Sequence, residues 1–139
     1  MNHRSWHRHY DPGVPTSIRY PHIIVPDIVQ IPAKTYPDKP ALVFEGKEIT
    51  FWELRTQILR FANALTGLDI KKGDRVGLHL PTCPQYVISY YALLSLGAIV
   101  VNLNPLYTVE ELQGTAHTTG MSALITSDMS LETARILVK

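Results

Sequence analysis

Helical and strand-like spacings of apolar residues alternate along this chain. Leu54, Ile58, Phe61, Ala62 and Leu65 recur every three or four positions, which predicts a helix with one apolar stripe. Thr50-Phe51-Trp52-Glu53 opens it as a capping box, the Thr50 hydroxyl and the Glu53 carboxylate satisfying amides that the first turn leaves unpaired. Gly67 is placed to supply a left-handed turn at its end. Before the helix, residues 41–44 and 47–50 flank Glu45-Gly46 and predict a hairpin. After it, beyond the polar turn Lys71-Lys72-Gly73-Asp74, come a strand at 76–80, a helix at 84–96 closed by Gly97, and a strand at 98–103. A second capping box, Thr108-Val109-Glu110-Glu111, opens a helix reaching Thr119 before Gly120. A strand at 123–126 and a helix beginning at Ser130 complete the order.

Strands alternating with helices over short connections imply right-handed crossovers and a parallel sheet. Ile99-Val100-Val101 is apolar on both strand faces, as when helices cover both sides. The expected fold class is therefore α/β, a three-layer parallel sheet with a short hairpin and an extended arm in front. Ligands in such sheets gather outside the carboxyl ends of the strands, here Pro81-Thr82-Cys83-Pro84-Gln85, residues 102–107 and Thr126-Ser127-Asp128. Seven of the ten prolines lie in the first forty residues, where each fixes its own φ and restricts its predecessor. Residues 1–24 read as the extended arm and 25–139 as the α/β unit. A short helix over 27–36 would place Ile28 and Ile31 on one face, with Pro32 opposing it.

With 45% hydrophobic and 18% charged residues and a net charge of +1, the bulk balance provides no electrostatic reason to expect nucleic acid or an anionic bilayer as partner. Cys83 is the only cysteine, so no intrachain disulfide forms, in keeping with a reducing cytosol. The first twenty residues hold no apolar signal-peptide core. Residues 86–101 are almost wholly apolar, but Gly97 and the β-type run after it favour a buried helix and strand over a membrane span.

Chemistry is scarce. The eight glycines fit neither a phosphate-binding P-loop nor the G-x-G-x-x-G dinucleotide pattern. His3, His7 and His9 lack a fourth ligand and a rigid frame for zinc. His79, between Leu78 and Leu80, reads as a satisfied core histidine, and Cys83 as structural. Tyr86 and Tyr90 share a helix face beside Tyr91. They fit either core packing with hydroxyls at the rim or the wall of an apolar ligand tunnel.

From Tyr36 onward the chain resembles the adenylate-forming (AMP-binding) superfamily, and long-chain fatty-acid–CoA ligases (acyl-CoA synthetases) most of all. The resemblance rests on Tyr36-Pro37-Asp38-Lys39-Pro40-Ala41, Ile49-Thr50-Phe51-Trp52-Glu53-Leu54, Lys72-Gly73-Asp74-Arg75-Val76, Leu80-Pro81-Thr82, Gly97-Ala98-Ile99-Val100-Val101-Asn102, and Asn104-Pro105-Leu106-Tyr107-Thr108 with Glu111-Leu112. In the arm, Trp6 with Tyr10-Asp11-Pro12-Gly13-Val14-Pro15 matches the same subgroup. The resemblance implies the N-terminal subdomain of an acyl-CoA synthetase-like fold. It also implies a two-step reaction: a fatty carboxylate attacks the ATP α-phosphate and Mg²⁺-pyrophosphate leaves, then CoA thiolate displaces AMP. The ATP-binding loop and catalytic lysine of the family would lie beyond residue 139, so no catalytic or metal-binding residue carries over and the chain alone is expected to be inactive. Its implied partners are the rest of the AMP-binding domain and the C-terminal domain, in a cytoplasmic enzyme with peripheral contact at the inner membrane face left open. Some relatives dimerise through this domain, and truncation would itself favour self-association. Candidate substrate-wall residues are Thr82, Gln85, Tyr86, Tyr90, Asn102, Asn104, Leu106 and Tyr107. The competing reading is a stand-alone, non-catalytic binding or oligomerisation module derived from the same fold.

Overall fold

The computed structural model describes residues 4–137; His3 of the arm and Lys139 lie outside the described residues. The arm carries one short 3-10 turn at Ser5–His9 and is otherwise irregular, so it is not extended throughout. Helix α1 (Asp27–Thr35) follows, running through Pro32. Its buried face carries Val29 and Ala33, whereas Ile28 and Ile31 point outward. The expected apolar pair thus lies on the wrong side: Val29 and Ala33, four apart, sit against α2, and Arg55 Nε donates to Gln30 Oε1 at 2.7 Å to hold the two helices together.

Strands β1 (Pro40–Phe44) and β2 (Lys47–Thr50) form the expected hairpin, with Phe44 opposite Lys47. Glu45 and Gly46 both take positive φ, 49° and 76°, the signature of a type I′ turn, whose twist matches that of the flanking strands. Helix α2 (Phe51–Gly67) starts from the complete Thr50/Glu53 capping box and buries Leu54, Ile58, Ala62 and Leu65. Gly67 remains helical, and the left-handed position falls two residues later on Asp69 (φ 62°). The amides of Asp69 and Ile70 then donate to the carbonyls of Thr66 and Leu65, a Schellman termination.

Strands β3 (Arg75–His79), β4 (Ile99–Asn102) and β5 (Ala123–Thr126) form one parallel sheet in the order β4-β3-β5, Val76 standing opposite both Val100 and Ala123. Helices α3 (Pro84–Leu96) and α4 (Val109–Thr119) link them, ending at Gly97 and Gly120 in left-handed conformation. The second capping box, Thr108 with Glu111, is complete. After β5 the chain makes a 3-10 turn at Asp128–Ser130 before α5 (Leu131–Leu137), one residue later than the expected start.

β4 lies beside one edge of β3 and β5 beside the other, so right-handed crossovers carry α3 and α4 to opposite faces of the sheet. On the α3 side, Val76, Ala92, Leu93 and Ala98 join Leu54, Ile58, Leu65 and Val29 in the main core. On the other face, a Cβ at Gly77 would collide with the side chains of Met121, Leu124 and Leu103, so only glycine lets them close over the central strand. Coverage is uneven: Ile99 on β4 stays 46% exposed, against the expectation of a strand buried on both faces. The reason is position, since β4 is an edge strand among the described residues. His79 is buried with its Nδ1 3.1 Å from Thr126 Oγ1, but its Nε2 has no partner, so this core histidine is only half satisfied.

Candidate functional site: the cavity at the strand ends

The chain enters the sheet at β3, moves to β4, then returns past β3 to β5. The topology therefore reverses between β3 and β5, and a crevice opens at their carboxyl ends. A cavity of about 720 Å³ occupies that crevice, a size typical of small-molecule sites. Its wall is mostly apolar, formed by Phe61 and Ala64 of α2, Leu80 and Pro81 after β3, Ile88 of α3 and Ile125 of β5.

Polar groups enter at few points. Gln57 and Arg60 come from α2, one turn from Phe61 and Ala64, and Gln85 from the first turn of α3. Ser127 and Asp128 close the far side. Arg60 has no ion-pair partner among the described residues, so its guanidinium is available at the rim. Ser89 is the polar lining residue set deepest, 4% exposed. Cys83 caps α3 through its carbonyl, which accepts from the amides of Tyr86 and Val87, and its side chain borders both this cavity and a small groove under the hairpin.

The candidates read from the sequence are divided by the fold. Gln85 lies in the cavity wall. Thr82 faces the small groove with Val43 and Phe44. Tyr86, Tyr90 and Asn102 come together away from the cavity, where Tyr86 Oη donates to Asn102 Oδ1 at 2.9 Å and the two rings stack with centroids 6.2 Å apart. Tyr91 meets Tyr90 edge-on at 5.7 Å, and partial burial, then the neighbouring Tyr90, hold its phenol above the usual range. Asn104 Oδ1 accepts from the amide of Leu106 and so shapes its own loop, while Leu106 is almost fully exposed. Tyr107 closes the same turn through its amide on the Asn104 carbonyl. Arg60, Ser89 and the α2 wall went unnoticed in the sequence. Gln57, Arg60, Phe61 and Ala64 do share a helical edge (i, i+3, i+4, i+7), but what that edge faces is a tertiary matter.

A parallel α/β unit with an apolar crevice at its switch point defines a ligand-binding class, and comparison with known proteins narrows it. The model of the AMP-binding enzyme family matches residues 29–139. The chain belongs to that family. It is 39% identical over 129 residues to the long-chain-fatty-acid–CoA ligase of Bacillus subtilis (strain 168), covering 93% of this chain and 23% of the relative. Among solved structures it resembles the Klebsiella oxytoca NpsA N-terminal subdomain in complex with anthranilyl-AMSN (TM-score 0.73, 30% identity, 76% of this chain and 28% of that one). It also resembles the anthranilate CoA ligase AuaEII in complex with anthranoyl-AMP (TM-score 0.76, 26% identity, 81% and 22%). The chain thus spans about a quarter of the length of the relatives it matches.

Proposed function

We propose that this chain forms the acyl-side wall of an ATP-dependent acid–CoA ligase acting on fatty carboxylates, with ATP, Mg²⁺ and CoA as co-reactants of the whole enzyme in the cytoplasm. The observation that carries the reading is the apolar crevice between β3 and β5, which can take the body of a hydrophobic acid and presents Arg60 at its rim. The described residues do not fit the nucleotide end of that chemistry. No glycine-rich phosphate loop occurs in the sequence, and no three His, Cys, Asp or Glu side chains among the described residues converge as metal ligands. What these residues supply is binding and orientation, which lower a barrier by holding the reacting carboxylate in place.

The test is a chimera in which this chain replaces the matching segment of the Bacillus subtilis ligase. Palmitate-dependent ATP–pyrophosphate exchange is expected in the chimera and background exchange from the chain alone. Ala64→Trp fills the cavity from an exposed helix position and is expected to raise the palmitate KM about tenfold with little change in kcat. Unchanged KM in that variant would remove the cavity from the acyl site, and exchange by the isolated chain would overturn the division of labour. An inactive chimera would favour the stand-alone module. Asn104→Ala and Tyr107→Ala in the same chimera examine the second loop; unaltered kcat and KM would exclude residues 102–107 from the substrate wall.

A further inference from the structure

Of the three methionines, Met121 and Met129 fall among the described residues, and the fold puts them in opposite settings. Met129 lies in the 3-10 turn at Asp128–Ser130 and is 93% exposed. Met121 is half-buried over the central strand. Its sulfur, with Cδ1 of Leu124 and Cδ1 of Leu103, fills the space that a side chain on Gly77 would need. The backbone on either side of Met121 is pinned. Its own amide donates to the Ala116 carbonyl at 3.1 Å, and the amide of Ser122 donates to the Arg75 carbonyl at 2.9 Å. The Ser122 hydroxyl donates to the same carbonyl at 3.2 Å. The thioether therefore cannot move far from this notch without loosening the link from α4 to β5.

We propose that Met121 is a modification site for peroxides, at which oxidation to the sulfoxide frees β5 from the central strand. The step is a two-electron transfer: the sulfur is oxidised and the peroxide reduced. A lone pair on Sδ attacks one peroxide oxygen, and the S–O bond forms as the O–O bond breaks. The departing hydroxide takes the proton of the transferred hydroxyl and leaves as water. Half-burial lets a peroxide reach the sulfur, whereas the product is larger and polar. The notch does not suit that product. The groups beside the sulfur are leucine methyls, and the backbone of Gly77 is engaged in the ladders of the central strand. A buried oxygen without a donor is unfavourable, and an added atom overpacks a site that already excludes a methyl group. The oxidised side chain is expelled, and β5, which starts two residues later, loses its cover. Ile125 and Thr126 of β5 wall the cavity, so that wall is loosened as well. The inference stands on packing and does not depend on what the cavity binds.

The full chain carrying Cys83→Ser, a change that removes the one thiol and suits the N-cap of α3, is treated with hydrogen peroxide. Peptide mass mapping follows each methionine, and denaturant unfolding follows stability. Met129 is expected to oxidise first, with the midpoint unmoved. Oxidation of Met121 should then lower the folded-to-unfolded ratio about tenfold or more. Reduction by the two methionine sulfoxide reductases, one for each epimer, should restore it. Met121→Leu, a swap of similar volume, should remove the peroxide-dependent fall, whereas Met129→Leu should keep it. The reductase step reads the parent side chain, so it decides the matter even where Met121→Leu is itself unstable. An oxidised Met121 with an unaltered midpoint, or a fall that the reductases do not reverse, would overturn the proposal. So would an equal fall in Met121→Leu, or a Met121 that stays reduced once Met129 is fully converted.

Discussion

At the scale of single residues, the helix ends show how backbone conformation selects side chains. α2, α3 and α4 all finish with a left-handed residue, and two of these are glycines while the third is Asp69. A left-handed conformation is strained for residues with a Cβ, and the ion pair of Asp69 with Lys71 is exposed and adds little. Asp69→Gly is therefore expected to stabilise the fold by about 0.5 kcal/mol. Gly97→Ala should destabilise it by about 1–2 kcal/mol, because φ is +75° and the new Cβ would sit 3.0 Å from Lys72 Cγ. Denaturant midpoints of the two variants should move in opposite directions. Tyr91 makes a pH-dependent contribution. Its folded pKa lies above the unfolded value of 10.0, so the unfolded chain releases the phenolic proton first as pH rises. The stabilisation from keeping this phenol neutral is complete below about pH 10 and is lost above it, as pH climbs through the folded pKa. Tyr91→Phe should flatten that alkaline decline, measured as denaturant midpoints on either side of pH 10 relative to the parent chain.

At the scale of elements, local sequence and tertiary demand agree where the amides of a helix start must be paired by nearby side chains. Thr50 with Glu53 and Thr108 with Glu111 both form the full reciprocal box, so α2 and α4 begin where the sequence placed them. Thr50→Ala and Thr108→Ala should each cost about 1 kcal/mol, read from thermal or denaturant unfolding. Agreement fails where two faces are comparably apolar. α1 offers both Ile28 with Ile31 and Val29 with Ala33, and only the position of α2 decides that the second pair is buried. Gly77 was mute in the sequence for a similar reason. Its need for hydrogen comes from Met121, Leu124 and Leu103, which are distant in the chain or lie on the neighbouring strand. Gly77→Ala should destabilise by about 1–3 kcal/mol through overpacking against those side chains.

At the scale of the whole molecule, the sheet has two free edges among the described residues, and β4 presents Ile99 there. A free edge with an apolar side chain is a template for pairing with another copy. Concentration-dependent association is therefore expected in sedimentation velocity, and Ile99→Lys should shift it toward monomer; a chain monomeric at every concentration would contradict the expectation. The cavity belongs to the same scale, because it exists only where α2, the start of α3 and the ends of β3 and β5 converge.

Returning to the hydrophobic pattern, the chain's own sequence was enough for the order of elements, the hairpin turn, both capping boxes and the parallel α/β class, since these depend on spacing and on contacts within a few residues. It also indicated two of the strand ends that border the cavity, at residues 81–85 and 126–128, but not that residues 102–107 lie outside its wall. Tertiary structure alone decided that Gln85 lines the cavity while Tyr86, Tyr90 and Asn102 pair elsewhere, and that Arg60 and Ser89 stand in its wall. Those outcomes depend on how helices pack across the sheet, and a linear pattern specifies a side chain's face without specifying what that face meets.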